Sequence, residues 1–124
     1  MNFNYEKIDH VQLAAPVGEE ENARLFYRDL LGLNEVEKPA NLKKRGGVWF
    51  QSGNVAIHIG VEEPFYPANK AHPAIRVNNI EAMRAYLDSK NVAYTDDDNL
   101  PGANRFYLID PFGNRLEFLE WGNL

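Results

Sequence analysis

Apolar and polar residues alternate in short runs along most of the chain, and twice the alternation gives way to a three-and-four spacing. Lys7 to Ala15 alternates with Ile8, His10, Gln12 and Ala14 on one face, which predicts a first strand. Pro16, Val17 and Gly18 break it, and Glu19 to Leu31 then reads as a helix. Acidic residues fill its first turn, and Ala23, Phe26, Tyr27, Leu30 and Leu31 repeat at helical spacing up to a stop at Gly32. A short strand over Leu33 to Val36 and a polar loop through Pro39, Lys43, Lys44 and Gly46-Gly47 follow. Val48 to Gln51 and Val55 to Val61 form a hairpin across Ser52-Gly53-Asn54, with Ala56, His58 and Gly60 facing away from Val55, Ile57, Ile59 and Val61.

Glu62 to Lys70 carries two prolines and no periodicity, so it divides the chain. Ala71 to Val77 is another strand, with His72, Ala74 and Arg76 on one face. Asn78 or Asn79 caps a helix whose apolar stripe is Ile80, Met83, Ala85, Tyr86 and Leu87. Val92 to Tyr94 predicts a short strand, Thr95 to Gly102 an acidic loop and Phe106 to Ile109 a strand. Asp110 to Asn114 then makes a tight turn, and Arg115 to Glu120 a last strand. A period of two places Leu116 and Phe118 on one face of that strand and Glu117 on the other. Taken alone, Glu117 is a charge on a solvated sheet face; turned inward, it needs a cation, a hydrogen-bond partner or a metal.

The element order repeats. Each half begins with a strand carrying a histidine, His10 or His72, continues into a helix about ten residues on, and reaches its last strand through a Gly-Asn turn, Gly53-Asn54 or Gly113-Asn114. The pattern predicts an α+β fold of two tandem βαβββ modules, over about residues 5–61 and 71–121, joined by a linker at 62–70.

Composition narrows the chemistry. With 124 residues, 44% hydrophobic and 25% charged, the chain is expected to form one domain with its own core. No cysteine is present, so thiolate chemistry and a disulfide framework are excluded, and a metal site has to draw on His, Asp, Glu and water. A net charge of -5 argues against nucleic acid as a partner, and the Lys43 to Arg45 run is too short to alter that. No apolar run approaches the roughly 18 residues of a membrane span. The first residues show no charged-then-apolar leader, so a cytoplasmic location is the default expectation.

The segments IDHVQLAA, FYRDLLGL, AHPAIRV and DPFGNRLEFLE, in that order over nearly the whole chain, resemble the vicinal oxygen chelate superfamily. That superfamily includes glyoxalase I, fosfomycin-resistance proteins, bleomycin-binding proteins and extradiol dioxygenases. The resemblance implies a glyoxalase/bleomycin resistance-like fold, in which the curved mixed sheets of the two modules form a cup. It implies metal ligands on the first and last strands of each module: His10 and His72 from the first strands, Glu117 from the last strand of the second module, and His58 as the candidate at the remaining place. Many glyoxalase I enzymes carry a glutamate at that place, so a histidine there weakens the glyoxalase I reading. His58 also raises a question of register. Gly53 lies five residues before it, whereas Gly113 lies four before Glu117, so superposed turns match Ile57 to Glu117 unless a different loop length or a bulge intervenes.

Two imidazoles and a carboxylate make a suitable shell for one divalent ion, Zn, Ni, Mn, Fe or Co, with positions left open for water or a substrate that binds through two oxygens. The expected activity is that of a small metal-dependent enzyme of the glyoxalase or fosfomycin-resistance type: an isomerase, a transferase or lyase, or a dioxygenase. No general base stands out. Arg45, Arg76 and Arg115 are candidates to meet an anionic substrate. Trp49, Phe50, Phe106, Tyr107 and Phe118 read as core or cup wall. The alternative is a metal-free protein of the bleomycin-resistance type that sequesters a ligand. In either case the resemblance implies a homodimer acting on a small molecule.

Overall fold

The computed structural model describes residues 1–122. The chain separates into two compact units, Met1–Tyr66 and Pro67–Leu124, each built around a four-stranded mixed sheet.

In the N-terminal unit, β1 (Val11–Ala15) leads to the helix α1 (Glu20–Ala23), which widens into a π-helical stretch over Arg24–Leu30. The widening shows in Leu31 N–H, which reaches five residues back to the Phe26 carbonyl at 2.9 Å. Next come β2 (Asn34–Val36), a 3-10 helix over Ala40–Arg45, β3 (Val48–Ser52) and β4 (Val55–Val61). The sheet order is β1-β4-β3-β2, with β1 parallel to β4 and the other pairs antiparallel. The helix buries Ala23, Phe26 and Tyr27, while Val48, Phe50, Ile57 and Ile59 fill the face of the sheet opposite His58. Tyr27 stacks on Phe50 with ring centroids 5.5 Å apart.

The C-terminal unit repeats the order: β5 (Ala74–Arg76), α2 (Ile80–Ser89), β6 (Thr95–Asp97), β7 (Ala103–Ile109) and β8 (Arg115–Trp121). Its sheet runs β5-β8-β7-β6, and β5 again lies parallel to the last strand. Asn79 caps α2, its side chain accepting from Ala82 N–H at 3.2 Å. Of the expected apolar stripe, Ile80 and Leu87 are buried, while Tyr86 stays 40% exposed. Phe106, Leu108, Leu116 and Phe118 are buried as well and make up the rest of this core.

Several elements differ from the sequence expectation. Both first strands begin later, at Val11 and Ala74, leaving His10 and His72 just ahead of them. Val11 pairs with Ile57, so Lys7 and Ile8 lie beyond the start of β4 and have no strand to join. Pro73 has no N–H to give to a ladder, and only its carbonyl is used, by Glu117 N–H at 3.0 Å. The short strand expected at Val92 to Tyr94 lies instead at Thr95–Asp97, inside the stretch that reads as an acidic loop, and forms an edge of the sheet. Cations decide this. Arg84 holds Asp96 at 2.9 Å and Arg105 holds Asp97 at 2.8 Å, offsetting the charge that makes the segment look unstructured. Among the described residues, no helix is long and apolar enough to cross a membrane.

Candidate functional site

The turn before β8 is what aims Glu117. Asp110 and Asn114 are both buried, and the Asp110 carboxylate accepts from Phe112 N–H at 2.9 Å, Asn114 N–H at 2.8 Å and the Asn114 amide at 2.9 Å. This closed loop lets Gly113 take its φ of 91° and delivers Arg115 directly into the ladder. Two residues on, Glu117 is only 5% exposed, because Leu116 and Phe118 face the core while Leu119 is buried on Glu117's own side. The solvated-face expectation is therefore corrected: both faces of this strand are covered.

Glu117 is held from two directions. One oxygen lies 3.1 Å from His72 Nε2, and the other accepts from Arg105 at 3.3 Å. His72 Nδ1 lies 2.6 Å from the Lys70 carbonyl, an oxygen that can only accept. Nδ1 is thereby assigned as a donor, and Nε2 is the ring nitrogen left to meet the carboxylate, through a proton or a cation between them. Arg105 bridges to Asp97, whose carboxyl is held below the usual carboxylate range by Asn99 N–H and by Arg105 itself. The Arg105 guanidinium is in turn held charged, first by Asp97 and then by Glu117. Tyr107 pairs directly across the ladder from Glu117, sets its ring edge-on to His72 at 5.4 Å, and lies beneath the Arg115 guanidinium at 4.8 Å.

The corresponding place in the N-terminal unit is occupied differently. Gln12, two residues after His10, pairs with His58, just as Ala74, two residues after His72, pairs with Glu117. Trp49 stands opposite His58 as Tyr107 stands opposite Glu117. His58 is thus the counterpart of Glu117, and Ile57 is not. The register is reconciled by loop length, since Ser52 pairs with Val55 across a two-residue turn whereas Ile109 pairs with Arg115 across five residues.

His58 lies between two rings. Trp49 stacks on it at 3.9 Å with planes 4° apart, and His10 covers the other side at 4.1 Å and 17°. Burial, followed by the neighbouring His10, pushes the His58 imidazole below the ordinary histidine value. His10 Nδ1 lies 2.9 Å from Asp9, whose carboxyl that bond holds low. The in-plane lone pairs of nearly parallel imidazoles run side by side rather than converging. The four expected ligands therefore fall as a stacked pair, His10 and His58, in one unit and a facing pair, His72 and Glu117, in the other. Among the described residues, no three His, Asp or Glu side chains gather as a metal-binding group.

The facing pair does fit part of a coordination shell. A separation of 3.1 Å suits two donors on adjacent positions of an ion with bonds of about 2.1 Å, and a histidine whose other nitrogen is fixed on a carbonyl is typical of such sites. The repulsion between Arg105 and a cation there is offset by Asp97 and Glu117, which leave the group with a net negative charge. Of the arginines expected near substrate, Arg115 lies beside the pair, over Tyr107. Arg76 is exposed on the edge strand, and Arg45 belongs to the N-terminal unit.

The model of the Glyoxalase/Bleomycin resistance protein/Dioxygenase superfamily matches residues 7–118. The chain belongs to this superfamily. Within it, the chain is similar to a glyoxalase family protein from Bacillus anthracis, at 51% identity and a TM-score of 0.94, covering 98% of this chain and 99% of that one. At the level of fold it resembles lactoylglutathione lyase from Agrobacterium tumefaciens, with 21% identity, a TM-score of 0.73 and 94% of each chain covered. It also resembles TnmS3, an antibiotic binding protein from Streptomyces sp. CB03234, with 21% identity, a TM-score of 0.71 and coverage of 95% of this chain and 100% of that one. Comparison with curated proteins finds no match. The superfamily fold therefore accounts for both sheets, and the chemistry has to be argued from side chains.

Arg105 and the Trp49–His58 stack were not picked out by sequence reasoning. A signal for Arg105 existed, since a period of two along β7 puts it on the same face as Tyr107 and diagonal to Glu117.

Proposed function

We propose that the chain is a divalent-metal-dependent enzyme acting on a small oxygen-rich molecule, with His72 and Glu117 as two of the ion's ligands. The supporting observation is that His72 Nε2 and a carboxylate oxygen face one another at 3.1 Å while Nδ1 is committed to the Lys70 carbonyl. Two acceptors in that position repel unless a cation or a proton lies between them. A bound divalent ion would supply Lewis-acid stabilisation to a developing oxyanion. The chain's own groups prepare the place. Lys70 fixes the ring's tautomer, Arg105 and Asp97 immobilise the carboxylate, and Tyr107 walls one side. Arg115, held over Tyr107, is the cation positioned to orient an anionic substrate group. The reading extends to isomerase, transferase or lyase, or dioxygenase chemistry, to His10 as a further ligand, and to a homodimer, each on the strength of the resemblance.

A second reading, ligand sequestration without metal, draws on the three-ring stack of Trp49, His58 and His10. That arrangement offers a planar surface and leaves the two imidazoles unconverged. Elemental analysis of tag-free protein purified without chelator separates the readings. About one equivalent of metal per chain is expected in the parent, and little in Glu117→Ala or His72→Ala. A comparable loss in His10→Ala would place that residue in the set. No metal in the parent, even after incubation with Zn, Ni, Mn or Fe(II), would reject the enzyme reading in favour of the second.

A further inference from the structure

A cleft of about 290 Å³ opens in the N-terminal unit, lined by Gln12, Lys38, Arg45 and Trp49, with Leu42, Ile59 and Val61 as apolar wall and glycines at 46 and 60. Its charge is opposite to that of the chain. The protein carries a net -5, yet among the described residues two cations and no carboxylate line this space. The cations are also differently committed. Arg24 is paired with Glu21 and Glu35, and Arg28 with Asp29, whereas Arg45 has no carboxylate within ion-pair range among the described residues. Lys38 donates to the Gly46 carbonyl and so is held at the rim. Glu20, the acid that approaches Gly46, is engaged by Gly47 N–H at 2.9 Å.

The cleft is built on fixed backbone. Gly46 and Gly47 take φ of 72° and 86°, and a Cβ at Gly47 would lie 2.2 Å from the Ile59 carbonyl, so the segment carrying Arg45 is seated directly on β4. A Cβ at Gly60 would meet the Gln12 amide nitrogen at 2.7 Å, so glycine there leaves room for that amide beside the cleft. Trp49, committed to His58 through its stack, presents a rigid aromatic wall.

We propose that this cleft binds a small organic carboxylate with a planar apolar body, the carboxylate on Arg45 and the body along Trp49. The guanidinium fork matches a carboxylate with two parallel hydrogen bonds, the Gln12 amide adds a donor, and Leu42, Ile59 and Val61 exclude water from the body. The volume of about 290 Å³ lies just under the roughly 300–1,000 Å³ usual for ligand pockets, which suits a single ring with its acid group. This inference goes beyond the metal-dependent reading and does not rest on it, because no residue lining the cleft is a proposed ligand.

Benzoate, its uncharged isostere benzamide, and inorganic phosphate make the test, titrated into the isotope-labelled full chain with chelator present and followed by amide, indole and guanidinium NMR signals. Saturable benzoate shifts at Gln12, Arg45, Gly60 and the Trp49 indole N–H are expected, with benzamide and phosphate each at least about tenfold weaker. Arg45→Gln, an exposed substitution, should weaken benzoate by about tenfold or more with the rest of the spectrum unchanged, and Arg45→Lys by less. Equal binding of benzamide, insensitivity to Arg45→Gln, or no saturable shift up to about 10 mM benzoate would overturn the proposal. Chelator removes metal from the measurement, so this failure is distinct from a failure of the enzyme reading.

Discussion

Glu117 is the residue whose surroundings decide most. Its sequence position already poses the question of how a mid-strand carboxylate is satisfied, and the structure answers with His72 on one oxygen and Arg105 on the other. The histidines were legible because they recur at the head of each repeat; Arg105 carried only its period-two place diagonal to Glu117, because an arginine on a strand looks the same in sequence whether it points to solvent or to a buried acid. Replacing Glu117 with alanine removes its bond with Arg105 at 3.3 Å and leaves that guanidinium with Asp97 alone. Urea unfolding in the presence of chelator should show a loss of about 1.5–3 kcal/mol, the usual worth of a hydrogen bond to a charged group. A change below about 0.5 kcal/mol would mean that the network contributes little beyond surface ion pairing. His58 makes the opposite case. The resemblance named it as Glu117's counterpart in the repeat, but strand pairing was needed to choose it over Ile57, because the two hairpins reach the same register through loops of different length.

At the scale of elements, the turn at Asp110 to Asn114 and the junction of α2 with β8 hold the C-terminal unit in register. Asp110→Ala removes a carboxylate that satisfies two backbone N–H groups and the Asn114 amide in a buried turn. A loss of about 2–4 kcal/mol is expected by urea unfolding, with the β8 amides exchanging faster. Glu120 accepts from Ile80 N–H at 3.1 Å and Asn79 N–H at 3.0 Å at the start of α2, and these bonds hold its carboxyl below the usual range. A folded-state value lower than the unfolded one means stabilisation that is complete above the unfolded value and lost as pH falls through the folded one. The stability gap between the parent and Glu120→Gln should therefore be present at neutral pH and close below about pH 4. A gap independent of pH would show that the carboxylate's charge is not what α2 uses. Both helices and the hairpins were legible from periodicity and turn residues. Strand β6 was not, since Asp96 and Asp97 look like loop until Arg84 and Arg105 are known to lie beside them.

For the whole molecule, duplication is the feature that sequence carried most clearly, through the histidine-led strands and the Gly-Asn turns. Both four-stranded sheets and the superfamily match agree with it. The fold leaves the reaction open, as expected for a scaffold also seen in a lactoylglutathione lyase and an antibiotic binding protein. If metal belongs to the native state, the protein should gain about 2.7 kcal/mol at an ion concentration a hundred times Kd, with a rise in Tm reversed by chelator. An unchanged Tm across Zn, Ni, Mn and Co would count against it. The most direct measurement is of what lies between His72 and Glu117. In nitrogen-15 spectra of the histidine side chains, one equivalent of Zn(II) should move His72 Nε2 to a metal-coordinated shift while Nδ1 keeps its proton on the Lys70 carbonyl, and Glu117→Ala should weaken that response. A His72 Nε2 signal that stays protonated and unmoved in excess Zn(II) would show that a proton, and not a metal, joins the pair, and would contradict the central claim.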